Sequence, residues 1–409
     1  MAPTDTFTRW SVIASGEGGG RITSQFFDRT ENPGIDDRIL VMNTNRADLR
    51  NTIDRMREQL HDEQGEEEMM GSYALEFGSQ QGAGNFFPNG EACARESLDR
   101  IVNRIKDNFG HADAFMHVAT LGGGTGNGSI PYVVDQFKHG LEDLDDDGAA
   151  EEWMDSVIHT AFGVWPYYTE PPQRHFNAVC GLSRLLRVDD GGQNADMVLL
   201  AANSHLDDEE NGNGRHYDSI NDAIITAVDL MIGAGRETRS VIDVKDYVTI
   251  PSQMDAYHFT PAVATDLNGE VYELEYMLDQ AAGNTYVPMD VGTTQAAYAI
   301  VRAPESMIEN DAITEPDVYG AFRDWTEKHD INVAGQASLT PKRGRGSDVD
   351  VLLLLGGFDL NPLLEHSWDE FEMLGDSLAG GGRGESDLSE SELDRIVDNL
   401  ESYVDRNAE

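Results

Sequence analysis

The sequence predicts an α/β fold built on a mostly parallel sheet, followed by a smaller α+β region. Two segments carry this prediction, because each contains an apolar strand, a glycine-rich turn and the start of a helix. The first segment is residues 9–27 and the second is residues 114–137. Parallel strands need crossover connections, which are usually helices, so repeated units of this kind favour a parallel sheet.

A long amphipathic helix and a change in composition organise the rest of the chain. Residues 215–234 predict a helix with one apolar stripe, formed by Ile220, Ile224, Ala227, Val228 and Met231. After residue 248 the strands are predicted at 257–264, 296–301, 331–337 and 349–355, with helical stretches between them. This second part shows no cluster of catalytic residue types, so we expect the chemistry to lie earlier in the chain.

The charge of the chain narrows its classes of partner. The net charge is −46, with 75 acidic against 29 basic residues, and only five of the basic residues are lysines. An acidic surface poor in lysine stays hydrated in concentrated salt, which screens its self-repulsion. We therefore predict a cytoplasmic protein of a halophile. Nucleic acid and anionic membranes are excluded as direct partners, because both repel such a charge.

Three features that the sequence lacks narrow the class of protein further. Cys93 and Cys180 are too few for a disulfide framework, and their spacing is not that of a metal motif. Residues 1–10 contain no basic region followed by an apolar one, so no signal peptide is expected. No apolar run approaches the length that spans a membrane. We expect a soluble, intracellular protein without direct membrane insertion.

The turn at residues 121–129, Leu-Gly-Gly-Gly-Thr-Gly-Asn-Gly-Ser, predicts a phosphate site. Glycines let backbone N–H groups approach an oxyanion, and the N-terminus of the following helix adds a partial positive charge. No Lys-Ser or Lys-Thr follows, which excludes a Walker loop, and the glycine spacing excludes a dinucleotide fingerprint. A flexible glycine turn is the alternative. The candidate residues are Gly122, Gly123, Gly124, Thr125, Gly126 and Asn127.

The turn at residues 15–21 predicts a second contact with the same phosphates, and a tight strand-to-helix turn is the alternative explanation. It offers Gly16, Gly18, Gly19 and the carboxylate of Glu17. Phosphates repel a carboxylate unless a cation lies between them. We therefore expect Glu17 to face Mg²⁺, directly or through water.

The long helix and the strand before it offer contacts for a base. Tyr217 and Asn221 are four residues apart, so they share one face of the helix. A tyrosine ring can stack on a purine and an asparagine amide can pair with the guanine edge; a plain surface pair is the alternative. Asn203 follows the predicted strand 196–202, and ligands of open α/β sheets bind beyond the carboxyl ends of strands.

These motifs resemble those of the tubulin/FtsZ superfamily, and especially the CetZ family of haloarchaeal tubulin-like proteins. The likeness lies in the Gly-Gly-Gly-Thr-Gly-Asn-Gly run of residues 122–128, in the Asn-Thr-Asn-Arg-Ala-Asp-Leu run of residues 43–49 and in residues 217–221. It covers about residues 8–360. One departure is Glu17, where these families have glutamine.

The resemblance implies further contacts for GTP or GDP. Asn43 matches a polar residue of the second nucleotide loop, and a helix-capping asparagine is the alternative. Glu170 and Arg174 match the loop that meets the ribose in the family. In the family, one loop senses the γ-phosphate. The corresponding position in this sequence holds Gly82, Ala83, Gly84 and Asn85, with Phe86-Phe87 inserted after them.

Asp243 and Asp246 match the acidic residues of the family's catalytic T7 loop, which reaches the nucleotide of the neighbouring subunit. Capping of the next helix is the alternative for both carboxylates. The family also implies a domain organisation: a Rossmann-like GTPase domain at 8–212, a central helix with the T7 loop at 213–247, an activation-type α+β domain at 248–365, and a flexible acidic tail with a helix at 366–409.

Together these observations predict a cytoskeletal protein that binds and hydrolyses GTP, assembles head to tail into filaments, and controls the shape or division of a halophilic archaeon. The expected partner is a further copy of the chain, and other tubulin-like proteins and a partner of the tail are additional candidates. One alternative is a GTP-binding regulatory paralogue that co-assembles with related filaments but hydrolyses poorly, because of Glu17 and Phe86-Phe87. The other is an NAD- or FAD-binding oxidoreductase.

Overall fold

The fold is described from a computed structural model of the chain. The structure describes residues 8–28, 35, 38–60, 65–78, 82–140, 157–189, 192–207, 216–234, 242–266, 273–331, 334–342, 347–379 and 388–408. The strands are β1 (Trp10–Ser15), β2 (Ile39–Asn43), β3 (Ala74–Glu76), β4 (Ala114–Thr120), β5 (Ile158–Trp165), β6 (Val188–Asp189), β7 (Gly192–Gln193), β8 (Met197–Ala202), β9 (His258–Asp266), β10 (Ala296–Pro304), β11 (Ala334–Lys342) and β12 (Val349–Gly356).

All strands except the short β6–β7 pair form one ten-stranded sheet, in the order β11-β10-β12-β9-β8-β5-β4-β1-β2-β3. From β3 to β9, every neighbouring pair in this order is parallel. Strand β12 runs antiparallel to both of its neighbours, β9 and β10, while β11 is parallel to β10. The two halves join where Val198 pairs with His258 and Leu199 pairs with Phe259. The predicted α/β fold with a mostly parallel sheet is confirmed.

The helices cover both faces of this sheet. They are α1 (Gly16–Ser24), α2 (Arg46–Leu60), α3 (Glu66–Tyr73), α4 (Phe87–Glu96), α5 (Leu98–Phe109), α6 (Thr125–Asp135), α7 (Pro172–Leu185), α8 (Asn203–Leu206), α9 (His216–Ala234), α10 (Asp246–Met254), α11 (Leu274–Ala282), α12 (Glu305–Glu309), α13 (Glu315–Lys328), α14 (Asn361–Ala379) and α15 (Glu390–Ala408). Alternate residues of β1 belong to two separate apolar clusters: Ile13 packs with α4–α7, and Val12 and Ala14 pack with α1, α2 and α9. Strands covered on both faces carry the near-continuous apolar runs seen in the sequence.

The central helix α9 is tied to the second half of the sheet by a buried ion network. The predicted apolar stripe is buried along its length, from Ile220 to Met231. In the same helix, Asp229 lies 2.6 Å from the guanidinium of Arg302 on β10. Arg302 also lies 3.1 Å from Asp350 on β12. A buried charge is costly unless it is paired. Here the guanidinium of Arg302 pairs with both carboxylates at once.

The structure differs from the sequence prediction at the first helix. The turn predicted over residues 15–21 is already helical, because α1 begins at Gly16, directly after β1. Helices α4 and α5 are divided at Ser97, whose hydroxyl accepts a hydrogen bond from the Gly78 N–H (3.0 Å). Helix α3 begins in an acidic segment, and its first turn holds three glutamates. Acidic residues stabilise a helix N-terminus, which explains that helix after the fact.

Helices α14 and α15 pack against the body of the protein, which corrects the prediction of a flexible tail from residue 366. The ring of Phe371 stacks on Phe176 of α7, with centroids 5.2 Å apart. The hydroxyl of buried Tyr403 hydrogen-bonds to the Tyr257 N–H and to Nδ1 of His258, each at 2.8 Å. The linker between the two helices, residues 380–387, lies outside the described residues. Within the described ranges, no helix has the length and apolar character needed to cross a membrane.

Buried histidines predict that the protein loses stability as the pH falls. Burial lowers the pKa of His117 to about 3 and that of His258 to about 4. Below their ordinary pKa of about 6.5, the unfolded chain binds these protons and the folded chain does not. Between pH 6.5 and 4, each histidine should therefore lower the free energy of unfolding by about 1.4 kcal/mol per pH unit.

Denaturant titrations at fixed high salt between pH 7 and 5 measure this slope. His117→Leu should flatten it, whereas His111→Leu, at an exposed position, should leave it unchanged. Comparing slopes between the variants separates the histidine effect from protonation of the many carboxylates. Equal slopes for wild type and His117→Leu would contradict the assignment.

Candidate functional site

One cavity of about 450 Å³ lies beyond the carboxyl ends of β1, β2, β4, β5 and β8. Its volume is in the range of small-molecule sites. All but two of the twenty predicted nucleotide contacts line it. These are Gly16, Glu17, Gly18, Asn43, Gly82, Ala83, Gly84, Asn85, Gly122, Gly123, Gly124, Thr125, Gly126, Glu170, Arg174, Asn203, Tyr217 and Asn221.

Two helices point their N-termini into the same end of the cavity. Helix α1 starts at Gly16 and α6 starts at Thr125. Neither N-cap residue, Ser15 or Gly124, caps its helix with a side-chain hydrogen bond. The first N–H groups of a helix have no partner within it and carry a partial positive charge. This end of the cavity is therefore suited to an anionic group such as a phosphate.

The loops that form this end pack against each other backbone to backbone. Gly16 has a left-handed φ of +77°, and a Cβ on it would lie 3.0 Å from the backbone nitrogen of Gly126. A Cβ on Gly124 would lie 2.7 Å from the backbone nitrogen of Phe86. The hydroxyls of Thr44 and Thr125 meet at 2.8 Å. Larger residues at these glycines would push the two turns and the 82–86 loop apart.

Asn177 on α7 clamps two of these loops and was not found from the sequence. Its side-chain nitrogen donates to the carbonyl oxygens of Asn85 and Gly122, each at 3.0 Å. The residue is fully buried. No local motif could have indicated it, because it lies in the middle of an otherwise ordinary helix and contacts loops 92 and 55 residues away.

The charged side chains at this end, beside the starts of α1 and α6, are one arginine and two carboxylates. Glu17 forms an ion pair with Arg21 one helical turn away. Asp48 also lines the cavity, and desolvation followed by the charge of Glu17 raises its pKa. Glu17 was predicted from the sequence, whereas Arg21 and Asp48 were not. Their positions follow from α1 and α2 packing side by side, which no short motif encodes.

Tyrosine and asparagine side chains line the other end. Tyr217 is half exposed, and the ring of Tyr167 meets it edge to face with centroids 5.5 Å apart. Asn203 and Asn221 are both largely buried while still lining the cavity. A planar group entering here would meet an aromatic face and two amide groups.

A paired carboxylate and arginine stand between the two ends. Arg174 lies 2.9 Å from Glu170, whose other oxygen accepts the N–H of Tyr167, also at 2.9 Å. These contacts order the loop after β5. Hydroxyl groups of a sugar are suited to such a pair, because the carboxylate accepts and the guanidinium donates.

The remaining two predicted contacts lie outside the cavity. Gly19 is inside α1, where a Cβ would lie 2.5 Å from the Val118 oxygen, so close helix–strand packing explains this glycine. The Asn127 side chain is fully buried and donates to the carbonyl oxygen of Asn177. The structure therefore gives the Asn127 side chain a packing role in place of the predicted position in the phosphate site.

Both explanations predicted for Asn43 have structural counterparts, and Asn45 beside it shares them. The Asn43 side chain accepts the N–H of Asn45 (3.0 Å), and the Asn45 side chain accepts the N–H of Ala47 (2.9 Å). Both asparagines line the cavity as well. Capping of α2 and contact with a ligand are therefore compatible at this turn.

Asp243 and Asp246 lie outside the cavity lining, beyond the other end of α9. An oxygen of Asp243 accepts the N–H groups of Lys245 (2.7 Å) and Asp246 (3.2 Å). Asp246 accepts the Asp243 N–H and the Gln336 amide, each at 2.8 Å. The capping alternative is therefore present at α10. It leaves Asp243 exposed and Asp246 partly exposed.

Comparison with known proteins identifies the family. Residues 9–209 match the model described as Tubulin/FtsZ family, GTPase domain. Residues 9–209 therefore form a GTPase domain of the tubulin/FtsZ family, as the motifs within them predicted. It is 25% identical to the tubulin-like protein CetZ1 of Haloferax volcanii over 242 residues, which are 55% of this chain and 50% of that protein. It is also 25% identical to the tubulin-like protein TubZ of a Clostridium botulinum C phage over 190 residues, 46% of this chain and 43% of TubZ.

The chain spans about half the length of these curated relatives. Solved structures match over more of it. The GTPγS-bound protofilament of CetZ2 from Haloferax volcanii has a TM-score of 0.68 at 20% identity, covering 91% of this chain and 100% of that one. A CetZ from Methanosaeta thermophila has a TM-score of 0.69 at 17% identity, covering 96% of this chain and 99% of that one. These likenesses confirm the predicted tubulin/FtsZ fold.

The Asn177 clamp predicts a local effect on the cavity loops. In Asn177→Asp, a carboxylate oxygen replaces the nitrogen that donates to two carbonyl oxygens, so the buried contacts become repulsive. The free energy of unfolding should fall by about 1–3 kcal/mol. Backbone amides of residues 82–86 and 121–125 should exchange with deuterium faster.

Asn399→Asp is the matched control. The Asn399 side chain donates to the Ser183 carbonyl oxygen (2.8 Å), away from the cavity. It should lower stability without changing exchange in the two loops. Unchanged loop exchange in Asn177→Asp would show that Asn177 does not hold them.

Proposed function

We propose that the chain binds GTP and GDP in this cavity and hydrolyses GTP within filaments of its own copies. The observation that carries the proposal is the polarity of the cavity. Two helix N-termini meet at one end, and an aromatic ring with two asparagine amides lines the other. A nucleoside di- or triphosphate has the same polarity, with its anionic chain and its base at opposite ends.

The phosphates would lie at the ends of α1 and α6. Backbone N–H groups at these helix starts and in residues 83–85 would donate to them. Asn85, Gly82 and Gly84 all have positive φ, from 57° to 80°. Successive residues of this kind turn N–H groups to one side and form concave anion sites. The preformed loops would stabilise charge as it grows on the phosphates during hydrolysis.

The residues at the phosphate end fit a Mg²⁺ ion. Mg²⁺ in nucleotide sites commonly takes one or two carboxylates, with phosphate oxygens and waters completing its shell. Glu17 and Asp48 supply such a pair. Desolvation and then the charge of Glu17 raise the pKa of Asp48, and a cation between the two carboxylates would relieve their repulsion. The described residues hold no cluster of three or more metal-binding side chains, so the phosphates would be needed to complete the site. The ion would supply charge neutralisation on the transferred phosphate.

The base would lie on Tyr217, with Asn221 at its polar edge. The Asn221 oxygen can accept the N1 and amino hydrogens of guanine, and adenine lacks that pattern. Tyr217 gains rigidity from the edge of Tyr167. Burial and the carboxylate of Asp207 raise the pKa of Tyr167, so its hydroxyl stays protonated at neutral pH.

Catalysis is proposed to need a second copy of the chain. Helix α9 has 19 residues and is therefore about 28 Å long. Tyr217 and Asn221 lie in its first turns, whereas Asp243 and Asp246 follow its last turn. Carboxylates that far from the cavity can act only on a nucleotide held by a stacked neighbour. A head-to-tail contact of this kind repeats into a filament, and the protofilament of CetZ2 supports it.

The organism and location follow from charge. We infer a cytoplasmic filament protein of a halophilic archaeon, acting in cell shape or division, from the net charge of −46 and the haloarchaeal relatives. Self-association is the main interaction proposed, with co-assembly with other tubulin-like proteins as a second. A tail partner is less favoured than we expected, because α15 packs on α7 through Ser183 and Asn399.

Two features, Glu17 and Phe86-Phe87, suggested the alternative of a poorly hydrolysing regulator, and the structure supports only the first. Glu17 does line the phosphate end of the cavity. Phe86 and Phe87 do not line it; they pack with Phe176 in the apolar core. Pure protein that binds GTP and releases no phosphate at any concentration would favour the regulator. Retention of nicotinamide or flavin would favour an oxidoreductase.

Nucleotide selectivity tests the assignment of the base. Titration with labelled nucleotides in molar KCl should give tighter binding of GTP than of ATP. Asn221→Ala should weaken GTP binding by about 1–3 kcal/mol, because buried polar groups lose their partner. Tyr217→Ala should weaken it too, while Tyr217→Phe keeps the ring and the affinity.

Tyr276→Ala is the control, since Tyr276 is similarly exposed but lies on α11, outside the cavity lining. It should bind GTP as the wild type does. Equal affinities for ATP and GTP in the wild type would refute the assignment.

Mixing of variants tests catalysis across an interface. Phosphate release per molecule should rise with protein concentration in the wild type. Asp246→Asn keeps the size and one oxygen that can accept the Asp243 N–H, so it should bind GTP and assemble but not hydrolyse. Adding Thr125→Ala, which is damaged at its own cavity, should restore part of the turnover through one intact composite site.

Asp317→Asn is matched to Asp246→Asn, because Asp317 also accepts a backbone N–H at a helix start, that of Thr314 (2.9 Å). It should retain full turnover. Hydrolysis that is independent of concentration, or normal turnover in Asp246→Asn, would show that each chain holds a complete site.

A further inference from the structure

A buried arginine lies behind the phosphate end of the cavity, on the side away from the proposed ligand. Arg184 is on α7 and is only 9% exposed. Its guanidinium donates to the carbonyl oxygens of Asn127 (3.1 Å) and Gly128 (3.2 Å), both in the first turn of α6. It also pairs with Glu91 at 2.6 Å and lies 5.0 Å from the centre of the Phe87 ring.

One of these contacts replaces a hydrogen bond that the helix cannot make. In an α-helix, the carbonyl oxygen of Asn127 accepts the N–H of the residue four positions later. That residue is Pro131, which lies inside α6 and has no N–H. Asn127 is fully buried, so water cannot serve its carbonyl either. The guanidinium of Arg184 supplies the missing donor.

The position of this contact links it to the cavity. Thr125 and Gly126 line the cavity, and Asn127 and Gly128 follow them directly in the same helical turn. Arg184 holds the carbonyl oxygens of Asn127 and Gly128 from the side away from the cavity. Holding these oxygens fixes the orientation of the turn, and therefore the direction of the N–H groups that face the cavity. Without a donor, the turn would have to shift or unwind to reach one.

The surroundings hold Arg184 in place. Glu91 is on α4, and its second oxygen pairs with Arg95, so the carboxylate is fixed from two sides. The neighbouring residue Ser183 donates to the Ile396 carbonyl oxygen of α15 at 2.7 Å. Helix α7 is thereby anchored on the face opposite the cavity as well.

We propose that Arg184 is a positioning residue for nucleotide binding: it compensates for Pro131 and sets the first turn of α6 that receives the phosphates. This inference rests on the proposed function, because it assumes that the turn binds a nucleotide. It assigns Arg184 no contact with the nucleotide. Its effect passes through the carbonyl oxygens of Asn127 and Gly128.

A compensating pair of substitutions tests the proposal. Arg184→Met removes the donor, so GDP affinity should fall about tenfold or more. Pro131→Ala alone restores the helical N–H and should bind GDP within about twofold of the wild type. The double variant should recover most of the lost affinity, because Asn127 then has its helical donor and no longer needs the arginine.

Hydrogen exchange of the nucleotide-free protein provides a second measurement. Amides of residues 125–130 should exchange faster in Arg184→Met and return toward the wild-type rate in the double variant. Arg187→Met is the matched control: Arg187 is on the same stretch of chain and pairs with Asp135 of α6 (2.8 Å), at the other end of that helix. It should leave both GDP affinity and exchange at 125–130 unchanged.

The two proposals fail in distinguishable ways. If the wild type binds no nucleotide, the proposed function fails, and the exchange rates alone decide whether Arg184 holds the turn. If the wild type binds GDP and Arg184→Met binds equally well, the positioning role is overturned. A double variant as weak as Arg184→Met also overturns it, since the loss would then come from packing. If Arg184→Met does not fold, Arg184→Lys, with and without Pro131→Ala, repeats the comparison.

Discussion

The parallel pairing of β1, β2, β4, β5 and β8 is the constraint on which the cavity depends. Parallel strands end at the same edge of a sheet, so the turns that follow them must share one region of space. In this chain the turns after β1 and β4 start helices at once, at Gly16 and Thr125. The first N–H groups of α1 and of α6 therefore converge on one region. The pairing of the strands brings them there, without help from capping side chains.

That convergence is possible only because the turns carry so little side-chain volume. Gly16 meets Gly126, and Gly124 meets the backbone at Phe86, at distances that leave no room for a Cβ. The glycines therefore have two functions: they open the cavity toward a ligand, and they let three loops lie against one another. Packing of the loops buries several of their carbonyl oxygens. Two side chains of α7, Asn177 and Arg184, donate hydrogen bonds to these oxygens.

The sequence was informative where a contact is made by a contiguous motif and uninformative where it is made by tertiary packing. The 122–126 run, residues 82–85 and the Tyr217–Asn221 pair were all found, since each is a short pattern in one loop or on one helix face. Asp48, Asn177 and Arg184 were missed because their partners are far away in the chain. Asn127 was misjudged for a geometric reason. It is two residues after Thr125 in α6, and residues two apart lie on nearly opposite sides of a helix, so both cannot face the cavity.

The two ends of α9 connect the cavity to the rest of the molecule. Its first turns supply Tyr217 and Asn221, and its later part is held by Arg302, which also pairs with Asp350 in the second half of the sheet. The hydroxyl of Tyr298 on β10 donates to the Asp246 carbonyl oxygen (2.8 Å), and Gln336 on β11 holds the Asp246 carboxylate. Contacts therefore connect the region of Tyr217 and Asn221 to the loop that holds Asp243 and Asp246 in two ways, along α9 and across β10. Under the proposed function, this arrangement makes the state of the nucleotide in one copy bear on the carboxylates offered to the next.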